Sequence, residues 1–359
     1  MDTEKLQDLK KRSIAIILKN QSDNGAYIAS PNFETYQYCW FRDGAYIAYG
    51  MQQVGEISSA VKFHDWAAEI ILSQQPVIKS AIQKVAKGED LGPADFLHTR
   101  YTLDGKIADR EEWPNFQSDG FGTWLWVLSE QIRGQSSRPK TNWVEAAELV
   151  AEYLAAIWRV PCYDLWEEFP AHLHTYTLAA IYGGLMSIEG IVSQSFKKVA
   201  QEILQYILTY CQKDGVFVKA AGRDDVDASL VALALPYKVV EPGSALMRNT
   251  VQRIKRDLVQ EFGTHRYTAD TYYGGGQWLL LSAWQGCYHA SLGEVSEAEA
   301  YLNWLVEQSD QEDQMPEQVP LHMNQSRYYT QWLKRWGEIA KPLLWSHASF
   351  LWLASMLER

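Results

Sequence analysis

The sequence predicts an all-α fold, an (α/α)6 barrel of six inner and six outer helices. Helical periodicity dominates its 359 residues. The periodic stretches alternate between amphipathic and apolar, pair after pair. Each apolar stretch follows a segment that is rich in Trp, Tyr, Arg, Asp and Glu. An amphipathic helix buries one stripe, whereas a helix apolar all round is covered on both sides. Such pairs read as two concentric rings whose units cannot bury their faces alone. A two-domain helical bundle is the alternative, and it does not account for the alternation.

Taken in order, Leu6 to Leu18 is amphipathic with Lys and Arg outward, and ends at Lys19-Asn20 before the Gly25 turn. Gly44 to Val54 is apolar and Gly55 terminates it. Ser58 to Ser73 is amphipathic, carrying Lys62, Asp65 and Glu69. The stretch Gln75 to Glu112 is long for a helix connection. Leu103-Asp104-Gly105-Lys106 reads as a hairpin tip within it, and the segment is expected to be a flap over a pocket mouth. Phe116 to Ile132 is apolar almost all round, and Asn142 to Trp158 is amphipathic. His172 to Ile188 carries almost no charge and contains Gly183-Gly184. Phe196 to Cys211 is amphipathic, Val226 to Leu235 short and apolar, Ser244 to Phe262 amphipathic and basic. Gly276 to His289 is apolar, Ser296 to Gln308 amphipathic, and Pro342 to Leu357 apolar. No Pro-, Gly- or Ser-rich linker interrupts this run, so residues 1–359 read as one barrel domain.

Composition narrows the function. A net charge of -11 argues against a nucleic-acid backbone as partner and gives no reason to expect anionic membranes. Cys39, Cys162, Cys211 and Cys287 form no CxxC pair, so neither a zinc site nor a disulfide framework is indicated. Met1-Asp2-Thr3-Glu4-Lys5 opens a polar segment, and no apolar run is long enough to span a bilayer; the chain reads as cytoplasmic. The 15 Trp and 20 Tyr offer large apolar plates with one polar edge, which suit the C–H faces of sugars. Filler in a large helical core is the plainer account of the same residues.

In such a barrel the N-termini of the inner helices meet at one end, so the segments before them would line a single pocket. These are Tyr36-Gln37-Tyr38-Cys39-Trp40-Phe41-Arg42-Asp43, Trp113-Pro114-Asn115-Phe116-Gln117-Ser118-Asp119-Gly120 and Tyr163-Asp164-Leu165-Trp166-Glu167-Glu168. Arg223-Asp224-Asp225-Val226-Asp227, His265 to Gly274, and Met315-Pro316-Glu317-Gln318-Val319 with Leu344-Trp345-Ser346-His347 complete the set. Carboxylates, one or two Arg and many rings fit a neutral sugar, and no lysine sits in the clusters. There is no phosphate loop, metal spacing or GxSxG elbow, so no metal or cofactor is expected. His172 and His174 read as core or supporting residues rather than ligands.

Glycoside hydrolysis needs two carboxyls, one to protonate the leaving oxygen and one to activate water or attack directly. Glu167 is the candidate acid. Packing against Trp166, Phe169 and Pro170 would favour the protonated form of a carboxyl there, although Glu167 and Glu168 would also suit a helix N-terminus. Glu317 is the best partner, being presented in the non-helical Pro316-Glu317-Gln318. Asp43 and Asp119 are rivals better explained as an ionised hydroxyl binder or an N-cap. A terpene-cyclase-like barrel, using Asp224, Asp225 and Asp227, is opposed by the hydroxyl-binding clusters.

Tyr-Asp-Leu-Trp-Glu-Glu at 163–168 resembles the catalytic-acid motif of glycoside hydrolase family 15, the glucoamylases, glucodextranases and related trehalases. Tyr36, Trp40 and Arg42-Asp43 resemble that family's segment for the nonreducing-end glucose. Trp113, Gln117 and Asp119-Gly120 match the next motif, and Arg266-Tyr267 with Asp270-Thr271-Tyr272-Tyr273-Gly274 another. Pro316-Glu317-Gln318 resembles the general-base motif, and Pro342 to His347 the last inner helix.

The resemblance implies an inverting, exo-acting α-glucosidase, with Glu167 as general acid and Glu317 as general base. It implies sugar contacts from Tyr36, Trp40, Arg42, Asp43, Trp113, Gln117, Asp119, Trp166, Glu168, Arg266, Tyr273, Trp345 and His347. The expected substrates are short α-gluco-oligosaccharides of isomaltose or maltose type rather than polymers, because no starch-binding module is visible, with α-1,6 slightly favoured because the compact form suits intracellular disaccharides. Trehalose hydrolysis is the alternative, and a non-catalytic sugar-sensing or scaffold subunit the other.

Overall fold

The last helix shows why an inner ring forms. From Leu344 to Ser355 every side chain is buried, so this segment has no face to offer to water. It must be surrounded by other helices, and the computed structural model places it so. The structure describes residues 3–108, 112–135 and 138–358.

The helices are α1 (Thr3–Lys19), α2 (Phe41–Gln53), α3 (Ile57–Ser73), α4 (Gln75–Lys87), α5 (Asp119–Arg133), α6 (Thr141–Ile157) and α7 (Thr175–Ser187). There follow α8 (Lys197–Tyr210), α9 (Ala245–Leu258), α10 (Leu279–Ser291), α11 (Val295–Glu307), α12 (Tyr329–Trp336) and α13 (Leu344–Leu357). A 3-10 helix, Ala228–Leu233, sits between α8 and α9. The inner ring runs α2, α5, α7, this 3-10 helix, α10 and α13, and closes because α13 packs on α2. Outside it, α1 lies on α13, α3 on α2, α6 on α3, α8 on α7, α9 on the 3-10 helix and α11 on α10. The predicted (α/α)6 barrel is therefore the fold.

Glycine sets the closest approach within the ring. A Cβ on Gly184 of α7 would lie 2.4 Å from the carbonyl oxygen of Gly122 in α5, and one on Gly122 would lie 2.5 Å from that of Ala180. Those two helices touch backbone to backbone.

Three elements differ from expectation. The fourth inner element is six residues of 3-10 helix, not an α-helix from Val226 to Leu235. The Asp227 carboxylate caps it through Ser229 N, and Pro236 blocks propagation by lacking an N–H. The expected flap at 75–112 begins instead with α4, which packs on α6 away from the pocket. Pro76 in its first turn and left-handed Gly88 after its last residue were legible start and stop signals. The hairpin tip is present, with Thr102 N donating to Lys106 O at 2.8 Å and Gly105 at φ +85. Arg100–Tyr101 then pairs with Cys39–Trp40, which stitches the segment to the wall before α2. The part at 109–111 lies outside the described residues. Finally, α12 is a short amphipathic helix that the sequence reading leaves unassigned. It packs with Phe33, Tyr273 and Ala340 in a small apolar cluster apart from the main core.

Candidate active site

The loops that enter the inner helices surround a cavity of about 390 Å3. Five of the six supply its lining: Tyr36, Trp40, Arg42 and Asp43 before and within α2, Trp113 before α5, Trp166, Glu167 and Glu168 before α7. Arg266, Tyr272 and Trp278 come before α10, and Glu317, Trp332, Arg335, Trp336 and Trp345 before or within α13. The cavity is blind at depth. The Trp345 ring stacks on Tyr46 at 5.2 Å, and the Tyr46, Tyr176 and Tyr237 hydroxyls close a buried hydrogen-bonded triangle at 3.0–3.1 Å below it.

Glu167 stands in a turn that L-residues avoid. Its φ is +66 and that of Phe169 is +53. Left-handed backbone at a non-glycine residue costs on the order of 1–2 kcal/mol and persists only where the surroundings impose it. They do so here. Asp164 Oδ1 accepts from Trp166 N and Glu168 N, both at 2.9 Å, and Glu167 N donates to Asp164 O at 2.9 Å. The turn projects the Glu167 carboxyl into the cavity, where Oε1 accepts from Trp40 Nε1 at 2.7 Å and Gln117 Nε2 at 3.0 Å.

Glu317 is more enclosed, at 3% exposure. Its backbone sits between Leu279 N, which it accepts, and Ala340 O, to which it donates. Tyr36 donates to Oε1 at 3.0 Å, and the Tyr272 hydroxyl lies 3.0 Å from that of Tyr36. Oε2 has no protein partner. Burial pushes Glu317 up to about 8, against the lowering effects of the Tyr36 hydrogen bond and Arg266. The two carboxyls share a wall, because the Tyr36 and Trp40 rings meet edge to face at 5.7 Å.

Arg42 organises the floor. Its Nη1 donates to Gln117 Oε1 at 2.8 Å and Asp119 Oδ2 at 3.0 Å, and its guanidinium lies 5.8 Å from the Trp345 ring. Burial pushes Asp43 up to about 7, although Arg42 beside it works the other way. Burial thus opposes, and Arg42 favours, the ionised Asp43 that the sequence reading expects. On the opposite side Arg266 makes a bidentate pair with Asp270 and lies between the Trp166, Tyr272 and Trp278 rings, 5.1–5.3 Å from each. Glu168 accepts from the Tyr267 hydroxyl, and burial raises its pKa while Arg266 and that bond lower it.

Eleven of the fifteen residues singled out from sequence line the cavity: Tyr36, Trp40, Arg42, Asp43, Trp113, Trp166, Glu167, Glu168, Arg266, Glu317 and Trp345. Gln117 and Asp119 stand behind the lining, 1% and 0% exposed, and act on it through Arg42 and Glu167. Two choices are corrected. Tyr273 turns away and donates to Gly337 O, because its left-handed backbone, φ +44, reverses the chain; Tyr272 takes the cavity position. His347 is fully buried on the far face of α13, bonded to Ser13 Oγ and Met315 N. Sequence reasoning missed Trp278 and the rim of α12, where Arg335 lies 5.3 and 5.0 Å from the Trp332 and Trp336 rings. The i, i+3, i+4 spacing of those three on a short helix was the available signal. Also missed was Arg100, buried 3.8 Å from the Trp113 ring and 4.4 Å from that of Tyr38. His174 is a supporting residue, as expected, bonded to Phe169 O.

Among the described residues no group of three His, Cys, Asp or Glu is placed to hold a metal ion, and no helix is long and apolar enough to cross a membrane. The site offers two carboxyls with unlike surroundings, two buried cations and a ring of aromatic plates. That combination can bind a sugar and move a proton on either side of it.

Comparison with known proteins agrees. The family model "Glycosyl hydrolases family 15" matches residues 6–355. An isomaltose glucohydrolase of Kribbella flavida is 36% identical over 98% of this chain and 93% of its own. A trehalase of Sulfolobus acidocaldarius is 22% identical over 76% of this chain and 50% of its own. A solved glycosidase variant in complex with glucose superposes with a TM-score of 0.96 at 35% identity, covering 100% of this chain and 99% of that one. A glucoamylase of Saccharomycopsis fibuligera, 14% identical, shares the fold with a TM-score of 0.74 over 98% of this chain and 94% of its own.

Proposed function

We propose that this chain, which belongs to glycosyl hydrolase family 15 and is a glycoside hydrolase, is an inverting, exo-acting α-glucosidase for isomaltose-sized substrates. The observation that carries the mechanism is the asymmetry of Glu317. One oxygen is fixed by Tyr36, and the other is buried with no protein partner, which leaves it to hold a water. Glu317 takes the proton of that water as its oxygen attacks C1. Glu167 gives its proton to the departing glycosidic oxygen. The carboxyls should then stand roughly 6.5–9.5 Å apart, the spacing of inverting enzymes.

Arg42 and Asp43 hold the outer hydroxyls of the nonreducing glucose, and Trp345 lies below it. The blind floor suits attack at a chain end. Glu168, Arg266 and Trp113 border the next sugar. The α12 rim narrows the mouth there, which favours a disaccharide over a polymer. The α-1,6 linkage rests on similarity to the isomaltose glucohydrolase; α-1,4 and α,α-1,1 are the competitors.

Glucose release from isomaltose, maltose, trehalose and maltohexaose, followed by early proton NMR, tests this. β-Glucose from isomaltose, faster than from the others, is expected. α-Glucose appearing first would overturn the water mechanism. Fastest release from trehalose or maltohexaose would overturn the substrate assignment.

A further inference from the structure

A lysine lies where the sequence clusters showed none. Lys219, 3% exposed, reaches beneath the loop that carries Glu167. Its ammonium is 3.0 Å from Asp164 Oδ2 and is also bonded to Asp227 Oδ2. Asp164 is the residue whose other oxygen ties down Trp166 N and Glu168 N. Asp227 Oδ2 also accepts from the indole Nε1 of Trp166 at 2.8 Å. The lysine backbone is itself fixed to the barrel. Its N donates to Asp225 O at 2.8 Å, and its O accepts from Thr175 N, the first residue of α7, at 3.0 Å.

We propose that Lys219 is a positioning residue for the reaction, joining Asp164 and Asp227 so that the strained turn presents Glu167 to the glycosidic oxygen. This rests on the reading of Glu167 as general acid. Lys219 does not line the cavity, so it touches no substrate held there. Its effect runs through the turn. Without the cation, two buried carboxylates would face one vacated position, and each would need another counter-charge or a proton. Burial disfavours the ammonium, but Asp164 and Asp227 outweigh this and hold its pKa above the ordinary lysine value. The side chain also packs 4.2 Å from the Tyr267 ring, whose hydroxyl donates to Glu168. One residue thus braces both members of the Glu167-Glu168 pair. It also gives a role to the second oxygen of Asp227, whose Oδ1 caps the 3-10 helix.

The test compares two substrates in the full chain. Isomaltose needs a proton on its leaving oxygen, whereas α-glucosyl fluoride departs as fluoride without one. A displaced acid therefore harms only the first. Lys219→Met is expected to lower kcat on isomaltose at least 100-fold and on the fluoride less than fivefold, with circular dichroism unchanged. Asp227→Asn should show a milder form of the same split, and decides the matter if Lys219→Met does not fold. Equal losses on both substrates, or no loss on either, would overturn the positioning role. Glu167→Gln is the control for the underlying assignment. If it too loses both substrates equally, the acid assignment has failed rather than the bracing by Lys219.

Discussion

Glu317 carries the clearest pH signature at the residue scale. A general base works ionised, and burial sets this one near 8. The acid limb of kcat/KM should therefore lie close to pH 8 in the free enzyme, with a tenfold fall per unit below it. Tyr36→Phe removes a donor that stabilises the anion. The limb should move upward by about a unit, read from a kcat/KM profile on isomaltose; a downward shift would contradict the geometry. Glu167→Gln and Glu317→Gln should each lower kcat on isomaltose by at least about 100-fold while leaving the fold intact, measured by steady-state kinetics beside circular dichroism. These residues were legible because each sits in a short, chemically odd string before an apolar helix. Tyr272 and Tyr273 were not separable, since which of two adjacent tyrosines faces inward depends on one left-handed residue. His347 was misread because a helix apolar all round gives no clue to its cavity-facing side. Lys219 was invisible: its two carboxylates lie 55 and 8 residues away in sequence, and only the fold joins them.

At the scale of elements, the α5–α7 crossing is the tightest joint in the ring. Gly184→Ala would drive a methyl against the Gly122 backbone at 2.4 Å, and backbone cannot swing aside as a side-chain end can. A loss of about 1–3 kcal/mol is expected from overpacking, measured by urea unfolding. Gly92→Ala is the matched control, with only Asp95 Oδ2 at 3.9 Å and a negative φ; it should stay within about 0.5 kcal/mol. Equal effects at both sites would refute the close-approach account. The rim helix α12 bears on specificity instead. Trp332→Ala should raise KM for isomaltose several-fold with kcat little changed, because the ring borders the cavity without contacting either candidate catalytic carboxyl. Outer and inner helices were legible from their patterning. The 3-10 turn was not, because a short apolar run reads alike in either helix. Nor was α12: it buries no residue fully, and its apolar stripe, Tyr329, Trp332, Leu333 and Trp336, sits on a helix of only eight residues.

Ring closure was the part of the whole molecule most open to reading, since regular alternation of helix types leaves few other arrangements. Its response to pH follows from what that closure buries. His64 and His347 are fully enclosed, and burial lowers both to about 3. Between pH 6.5 and 3 the unfolded chain binds protons that these residues refuse, so stability falls as pH falls across that range. The active-site carboxyls act in the opposite sense. Burial raises Glu317 from 4.5 to about 8 and Asp43 from 3.8 to about 7. In those intervals the native state holds protons that the unfolded chain has lost. Their contribution is full below the unfolded values and disappears as pH rises through the folded ones. Stability should thus pass through a maximum and decline toward alkaline pH, with the catalytic pocket as the cause of the decline. Glu317→Gln separates the two effects, for glutamine fills the same space without ever having to ionise. The variant should match the parent in stability near pH 4 and exceed it progressively up to pH 8, by on the order of a few kcal/mol, which appears as a growing difference in Tm. A thermal-melt series at constant ionic strength would show it. A difference in Tm that does not change with pH would mean that Glu317 ionises freely in the folded protein, and the upward shift of its pKa would have to be abandoned.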